Sequence, residues 1–328
     1  MTKMKNVTYA QAILEAIDEE MDRDENVLLI GEDVGILGGN FKTAVGLFEK
    51  YGDLRVKDTP LSENSFFGMG LGMAITGLRP IVELMFSDFL FLASDQLLNQ
   101  IAKIRYMSGG QVKVPLTVRT TIGANRSSAA QHSQSLHAIL CHVPGLKVVV
   151  PSSAAEAKGL LKTAIRDDNP VVFVEHKMEY NKKYDIPEGE YTIPFGKANV
   201  LREGRDITVI ATSSLALKTV RAAEELAKEG IDVEIIDPRT LIPFDRDTFI
   251  DSVKKTGRLF LADEGHERSN IVAEIVMDLM PDIFYYLDAP PERLCLPNVP
   301  LPFSPALEFP LIPDQDKITK RIRKILKG

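Results

Sequence analysis

Four residues in this sequence carry the types and settings that chemistry needs. Glu63 heads an apolar run of Phe66, Phe67, Met69, Leu71, Met73, Ile75 and Leu78, and no second acid follows until Glu83. Burial raises a carboxyl pKa because the charged form loses hydration. A Glu at the head of such a run is therefore a candidate acid/base group. It also reads as a helix-end acid favoured by the helix dipole, with Thr59 or Ser62 as caps. Glu32, next to Asp33, ends a short apolar run and precedes Gly35. Open α/β sheets place ligand-binding groups at such strand ends, although a solvated loop has the same look. His132 stands in a polar stretch, 123–135, too long for a simple connector. It reads either as a site residue or as an exposed histidine. Phe89 lies in a cluster with Phe86 and Phe91, which suits a core as well as a cofactor platform. Glu264 and His266, after an apolar run, form a weaker second candidate. His137 and His142 read as packing or surface residues, since no zinc-type pair with an acidic third ligand is evident.

The elements that must position these groups follow from periodicity. Ala10, Ile13, Leu14, Ile17 and Met21 predict a helix over 7–22. Strands are expected at 27–30, 55–59, 80–85, 115–121, 146–150 and 171–175, with helices at 41–51, 62–76, 95–106 and 154–166. Ser153 is the expected cap of the last, and Pro170 follows its end. Lys, Pro, Gly and Tyr dominate 181–203, which reads as a linker. A second alternating series has strands at 207–211, 233–236 and 259–262, and helices at 215–229, 245–256, 270–279 and 316–326. The alternation predicts an α/β protein of two doubly wound domains, 1–180 and 204–328, with mostly parallel sheets. Gly68 and Gly72 permit close approach of another helix. The GMGLG around them lies inside a helix, so it is no phosphate loop.

Composition excludes several classes. The 328 residues are 45% hydrophobic and 26% charged, ordinary for soluble globular domains. A net charge of −7 argues against nucleic acid as a partner. Cys141 and Cys295 allow neither a CxxC motif nor a disulfide framework. No apolar run approaches the ~20 residues that cross a bilayer, and the first residues lack the apolar core of a secretory signal. A cytoplasmic enzyme without membrane partners is the expectation.

DTPLSE, the glycine-spaced run after it, ELMFSDF and AAQHSQS, collinear with LPFSPALE near the end, resemble the β subunit of thiamine-diphosphate-dependent 2-oxo acid dehydrogenases. VVVPSSAAEAKGLL, AIRDDNPVVFVEHK and YTIPFGKANV are most similar to the acetoin dehydrogenase branch of that family. The resemblance implies a transketolase-like pair of domains, pyrimidine-binding and C-terminal, and thiamine diphosphate as cofactor. It implies that Glu63 shares a proton with N1′ of the cofactor's pyrimidine, that Phe89 stacks on that ring, and that Glu32 and Leu61 lie beside it. His132 would act at the substrate end, in transfer of the acyl unit to lipoamide. A structural potassium ion is implied at the main-chain oxygens of Leu116, Ala164, Asp167 and Asn169.

Thiamine enzymes usually hold the diphosphate through magnesium with a Gly-Asp-Gly sequence. Here Gly52-Asp53 is followed by Leu54. The phosphates and magnesium are therefore expected on an α subunit, in an assembly of two α and two β chains that passes its product to a dihydrolipoyl acyltransferase core. The substrate stays open among acetoin, pyruvate and branched-chain 2-oxo acids. A split transketolase-type carboligase and a non-catalytic docking subunit are the competing readings.

Overall fold

β1 (Met4–Thr8) runs directly into α1 (Tyr9–Arg23) because Thr8 caps the helix. Its hydroxyl accepts from Gln11 N at 3.1 Å while the Gln11 side chain accepts from Thr8 N at 2.8 Å, a capping box. The computed structural model describes residues 3–327. Its contacts divide the chain into one unit of Met1–Ile122 with Ile139–Phe195, and another of Gly123–Ala138 with Gly196–Gly328.

In the first unit, β2 (Val27–Gly31) is buried along its whole length, as a central parallel strand covered on both faces must be. α2 (Leu47–Tyr51), β3 (Val56–Asp58), α3 (Glu63–Ile75) and β4 (Arg79–Leu84) follow. Then come a 3-10 turn at Ser87–Phe89, α4 (Leu90–Ser94), a π turn at Asp95–Ile101 and α5 (Ile104–Met107). The remaining elements, in chain order, are β5 (Thr117–Ile122), α6 (His137–Cys141, of which residues 139–141 belong to this unit), β6 (Lys147–Val149), α7 (Ala154–Arg166), β7 (Val171–His176) and β8 (Lys183–Pro187). Within this unit the parallel strands run in the order β6-β7-β5-β4-β2-β3, and β1 pairs with β8 as a separate antiparallel ribbon.

Two helices differ from expectation. The helix expected over 41–51 forms only as α2, because Lys42 and Gly46 take positive φ values of 61° and 84°. The helix expected over 95–106 starts earlier, at Leu90, and passes through the π turn.

α1 and α7 pack through a layer of charge. Lys158 Nζ lies 2.9 Å from Glu15 and 2.5 Å from Glu19, and Lys162 Nζ lies 2.6 Å from Glu19. Arg166 forks onto the fully buried Glu20. Both lysines are fully buried, which is tolerable only because each is paired.

The second unit contains β9 (Asn199–Arg202), β10 (Ile207–Ala211), α8 (Ser214–Ala227), β11 (Val233–Asp237), β12 (Thr240–Ile242) and α9 (Arg246–Thr256). It continues with β13 (Leu259–His266), α10 (Ile271–Ile283), β14 (Glu292–Leu296), α11 (Pro305–Glu308) and α12 (Gln315–Lys327). Its sheet has the order β14-β13-β10-β11-β9 and is parallel except for β9. Val209, Ile235 and Phe260 from three neighbouring strands share a core with Leu215 of α8 and Ile318 and Ile322 of α12.

The 181–203 stretch expected as a linker holds β8 and β9, and the contact division falls between Phe195 and Gly196. Lys- and Pro-rich composition suits edge strands as well as linkers.

Candidate active site

Glu63 is the first residue of α3 and is buried to 9% exposure. Neither cap expected for it forms. The Ser62 hydroxyl bonds Ser65 instead, at 2.8 Å, and the Thr59 hydroxyl is buried with no partner. Glu32 follows β2 and is 5% exposed, with Oε1 buried and unbonded. Gly31 pairs with Asp58 across β2 and β3, Thr59 N donates to Gly31 O at 2.9 Å, and Gly35 N donates to Asp58 at 2.7 Å. These bonds draw the Glu32 turn and the DTPLSE segment to the same C-terminal edge of the sheet. A Cβ on Gly31 would meet Glu83 O at 2.9 Å, so only glycine fits there.

Burial first, then the negative charges of Glu63 and Asp33, push the Glu32 carboxyl up to about 7. A carboxyl poised near neutrality, facing a second carboxylate, takes up and releases a proton at working pH.

Phe89 ends the 3-10 turn after β4 and is half-buried. Its ring meets Phe86 edge-on at 5.8 Å. Phe86 meets Phe41 at 5.7 Å, and Phe41 stacks on Tyr180 at 4.6 Å. The position of Phe89 is thus set by a row of rings. Leu61, in the turn before α3, is 83% exposed.

Beneath this edge lies an ion network absent from the expectations. Arg119 of β5 forks onto Glu175 of β7 at 2.7 and 2.9 Å and bonds Glu83 of β4 at 2.7 Å; all three are buried. Tyr180 donates to Glu175 at 2.6 Å. The available signal was a charged residue next to or within the apolar run of each of three strands: Glu83 after Ile81-Val82, Arg119 after Val118 and Glu175 after Val174.

At the turn after α7, Leu116 O accepts from Val171 N at 3.0 Å and Ala164 O from Asp167 N at 3.2 Å. Asp167 O accepts from Arg79 Nη2 at 2.8 Å. The Asp167 carboxylate accepts from Asn169 N at 2.9 Å and from Lys147. The four positions named for potassium are therefore knitted into one turn.

His132 belongs to the second unit, where it ends a 3-10 turn at Ala130–His132. It is half-buried, and its neighbours Gln131 and Gln134 line a cleft of about 460 Å³ with His266 and Asn298. Glu264 accepts from Ala124 N at 2.7 Å, so this carboxylate holds backbone. His266 Nδ1 sits 2.9 Å from Pro297 O.

His137, expected as a packing or surface residue, is buried and lies 2.9 Å from Asp263 of β13. Burial opposes charging of His137, but Asp263 outweighs it and raises the imidazole pKa. Asp263 is held well below the usual carboxylate range. Burial alone would raise it, and the His137 charge with hydrogen bonds from His137, Thr212 and Asn270 overcomes that.

Residues 5–183 match the transketolase pyrimidine binding domain, and residues 196–318 match the transketolase C-terminal domain. The chain is 46% identical to the acetoin:2,6-dichlorophenolindophenol oxidoreductase subunit beta of Cupriavidus necator, over 99% of this chain and 98% of that one. The same-named subunit of Bacillus subtilis is also 46% identical, over 98% and 97% of the two chains. The mitochondrial pyruvate dehydrogenase E1 component subunit beta of Dictyostelium discoideum is 45% identical, over 98% and 91%. A split-gene transketolase, described as an inactive β4 tetramer, shares the fold with a TM-score of 0.78 at 21% identity, covering 98% of each chain. The chain belongs to the family of acetoin and 2-oxo acid dehydrogenase β subunits, oxidoreductase subunits of transketolase-like fold.

Proposed function

We propose that this chain forms the pyrimidine side of a thiamine diphosphate site in an acetoin or 2-oxo acid dehydrogenase. The buried Glu32–Glu63 pair carries this reading. The unbonded Glu32 Oε1 marks a polar group with a partner still to meet. The donor set suits an aminopyrimidine, which needs a carboxyl to share a proton, an aromatic face and an apolar rim. When bound, thiamine diphosphate supplies the nucleophilic carbon that opens the bond beside the substrate carbonyl.

Glu63 would hold a proton-sharing hydrogen bond to N1′ of the pyrimidine. Glu32, protonated near neutrality, keeps a second full negative charge away from it. Phe89 offers its face to the ring, and Leu61 extends the apolar rim. His132 holds or releases a proton on the substrate side as the acyl unit leaves for lipoamide on a dihydrolipoyl acyltransferase core.

The sequence lacks Gly-Asp-Gly, so magnesium and the diphosphate fall to an α subunit, in an assembly of two α and two β chains. Potassium would lie on the main-chain oxygens of Leu116, Ala164, Asp167 and Asn169. The first three each accept one hydrogen bond and retain a second lone pair. Arg79 already brings positive charge to Asp167 O, which weighs against tight binding. Two cysteines, Cys141 and Cys295, with no CxxC motif between them, suit a reducing cytoplasm.

The test is co-expression with an α subunit, then dichlorophenolindophenol reduction with acetoin, pyruvate and branched-chain 2-oxo acids. Turnover of one of them, lost in Glu63→Gln, is expected. Transfer between sugar phosphates instead would establish a carboligase, and full activity of Glu63→Gln in the assembled complex would leave only a docking role.

A further inference from the structure

The loop that presents His132 is strained and held by buried carboxylates. Asn125, Ser127 and Ala129 take φ values of 71°, 52° and 60°, a region that L-residues avoid. Such backbone persists where its surroundings over-determine it. Glu308, the last residue of α11, is fully buried and spends both oxygens on this loop. Oε1 accepts from Asn125 N and Oε2 from Ser127 N, each at 2.9 Å, with the Ser127 hydroxyl at 3.4 Å. Glu264 takes Ala124 N just before them.

At the far end of the loop, His137 is fastened to Asp263. Asp263 is itself immobilised, because its other oxygen accepts from Gly265 N at 2.7 Å and from Asn270 at 2.8 Å. A Cβ on Gly265 would come within 2.8 Å of that oxygen, so the corner admits no side chain. His132 lies in sequence between the two anchors, and Gln131 and Gln134 on either side of it line the cleft.

We infer that Glu308 and the His137–Asp263 pair are positioning residues for His132, holding the 123–138 loop in the single conformation that presents it to the reaction. The inference rests on the proposed role of His132 at the substrate side. A carboxylate suits the task because it offers two acceptors to two amides at once. Glutamine would turn its own N–H₂ toward one of them. Charged acceptors also make the stronger hydrogen bonds. A residue wanted only for packing at this buried position would be apolar.

The test uses the αβ complex with Glu308→Gln, each measurement made with His132 intact and with His132→Ala. Glu308→Gln should raise hydrogen exchange at the 123–138 amides at least tenfold and lower lipoamide-dependent turnover at least tenfold. Cofactor affinity should stay within twofold, and no further loss should appear in the His132→Ala background. Equal losses in both backgrounds, or unchanged exchange in the loop, would overturn the inference. His137→Gln loosens the other end and should give the same pattern, so it serves if Glu308→Gln does not fold. Full turnover by His132→Ala alone would remove the proposed role of His132. Impaired His132→Ala with normal Glu308→Gln would reject the positioning and keep that role.

Discussion

Glu63 raises the proton affinity of Glu32. The two buried carboxyls stand at one edge of the first unit's sheet, and burial with the Glu63 charge leaves Glu32 titrating at about 7. The folded pKa lies above that of the unfolded chain. The contribution of Glu32 to stability is therefore fully present below the unfolded value and is lost as pH rises through about 7. Glu32→Gln removes this dependence. Between pH of about 5 and about 8, the wild-type melting temperature should fall relative to that of the variant. A difference that stays constant with pH would show that Glu32 is ionised throughout.

Glu63→Gln keeps shape and one hydrogen bond but loses the shared proton. In the αβ complex, deuterium exchange at the thiazolium carbon should slow by at least ~10²-fold, with cofactor affinity little changed. A helix-end acid alone would cost about 0.3–1 kcal/mol of stability and leave exchange untouched. The exchange rate decides between the two.

Arg119→Met strands Glu83 and Glu175 in the interior. The expected loss is about 3–5 kcal/mol in urea unfolding, because each carboxylate loses its buried partner. Acidification should recover part of the loss as Glu83 protonates. Burial already raises Glu83 even with Arg119 beside it. A loss under ~1 kcal/mol would mean that water reaches the site.

Potassium binding to the turn after α7 should raise the melting temperature in potassium over sodium at equal ionic strength. At a hundredfold excess over the dissociation constant the gain is about 2.7 kcal/mol. Asp167→Ala, which frees Asn169 N and Lys147, should abolish the difference. Equal melting in both salts would leave the turn to Arg79 and Lys147.

The architecture was legible because parallel strands buried on both faces read as unbroken apolar runs. β2 and β10 are examples, and α7 begins and ends where its cap and proline place it. Glu32, Glu63, Phe89 and His132 were legible as positions in motifs. Their partners were not. Glu175 lies 56 residues from Arg119, and Asp263 lies 126 from His137. Residue type says that a charge must be paired when buried, but it does not say with what. The helix expected over 41–51 failed for a local reason: left-handed Lys42 and Gly46 interrupt a run whose side chains suit a helix.

The reach of Glu308 has a consequence for synthesis. Its oxygens bond Asn125 N and Ser127 N, which precede it by 183 and 181 residues. On the ribosome, at roughly 5–20 residues per second, the first unit's strands emerge many seconds before α11 exists. During that interval the 123–138 segment is an unfastened insertion, open to proteases and chaperones. For the same reason a fragment cut at residue 196 would keep Asp263, Glu264 and Glu308 without the amides and imidazole that compensate their burial. Synthesis must pass residue 308 before the His132 loop can take its shape.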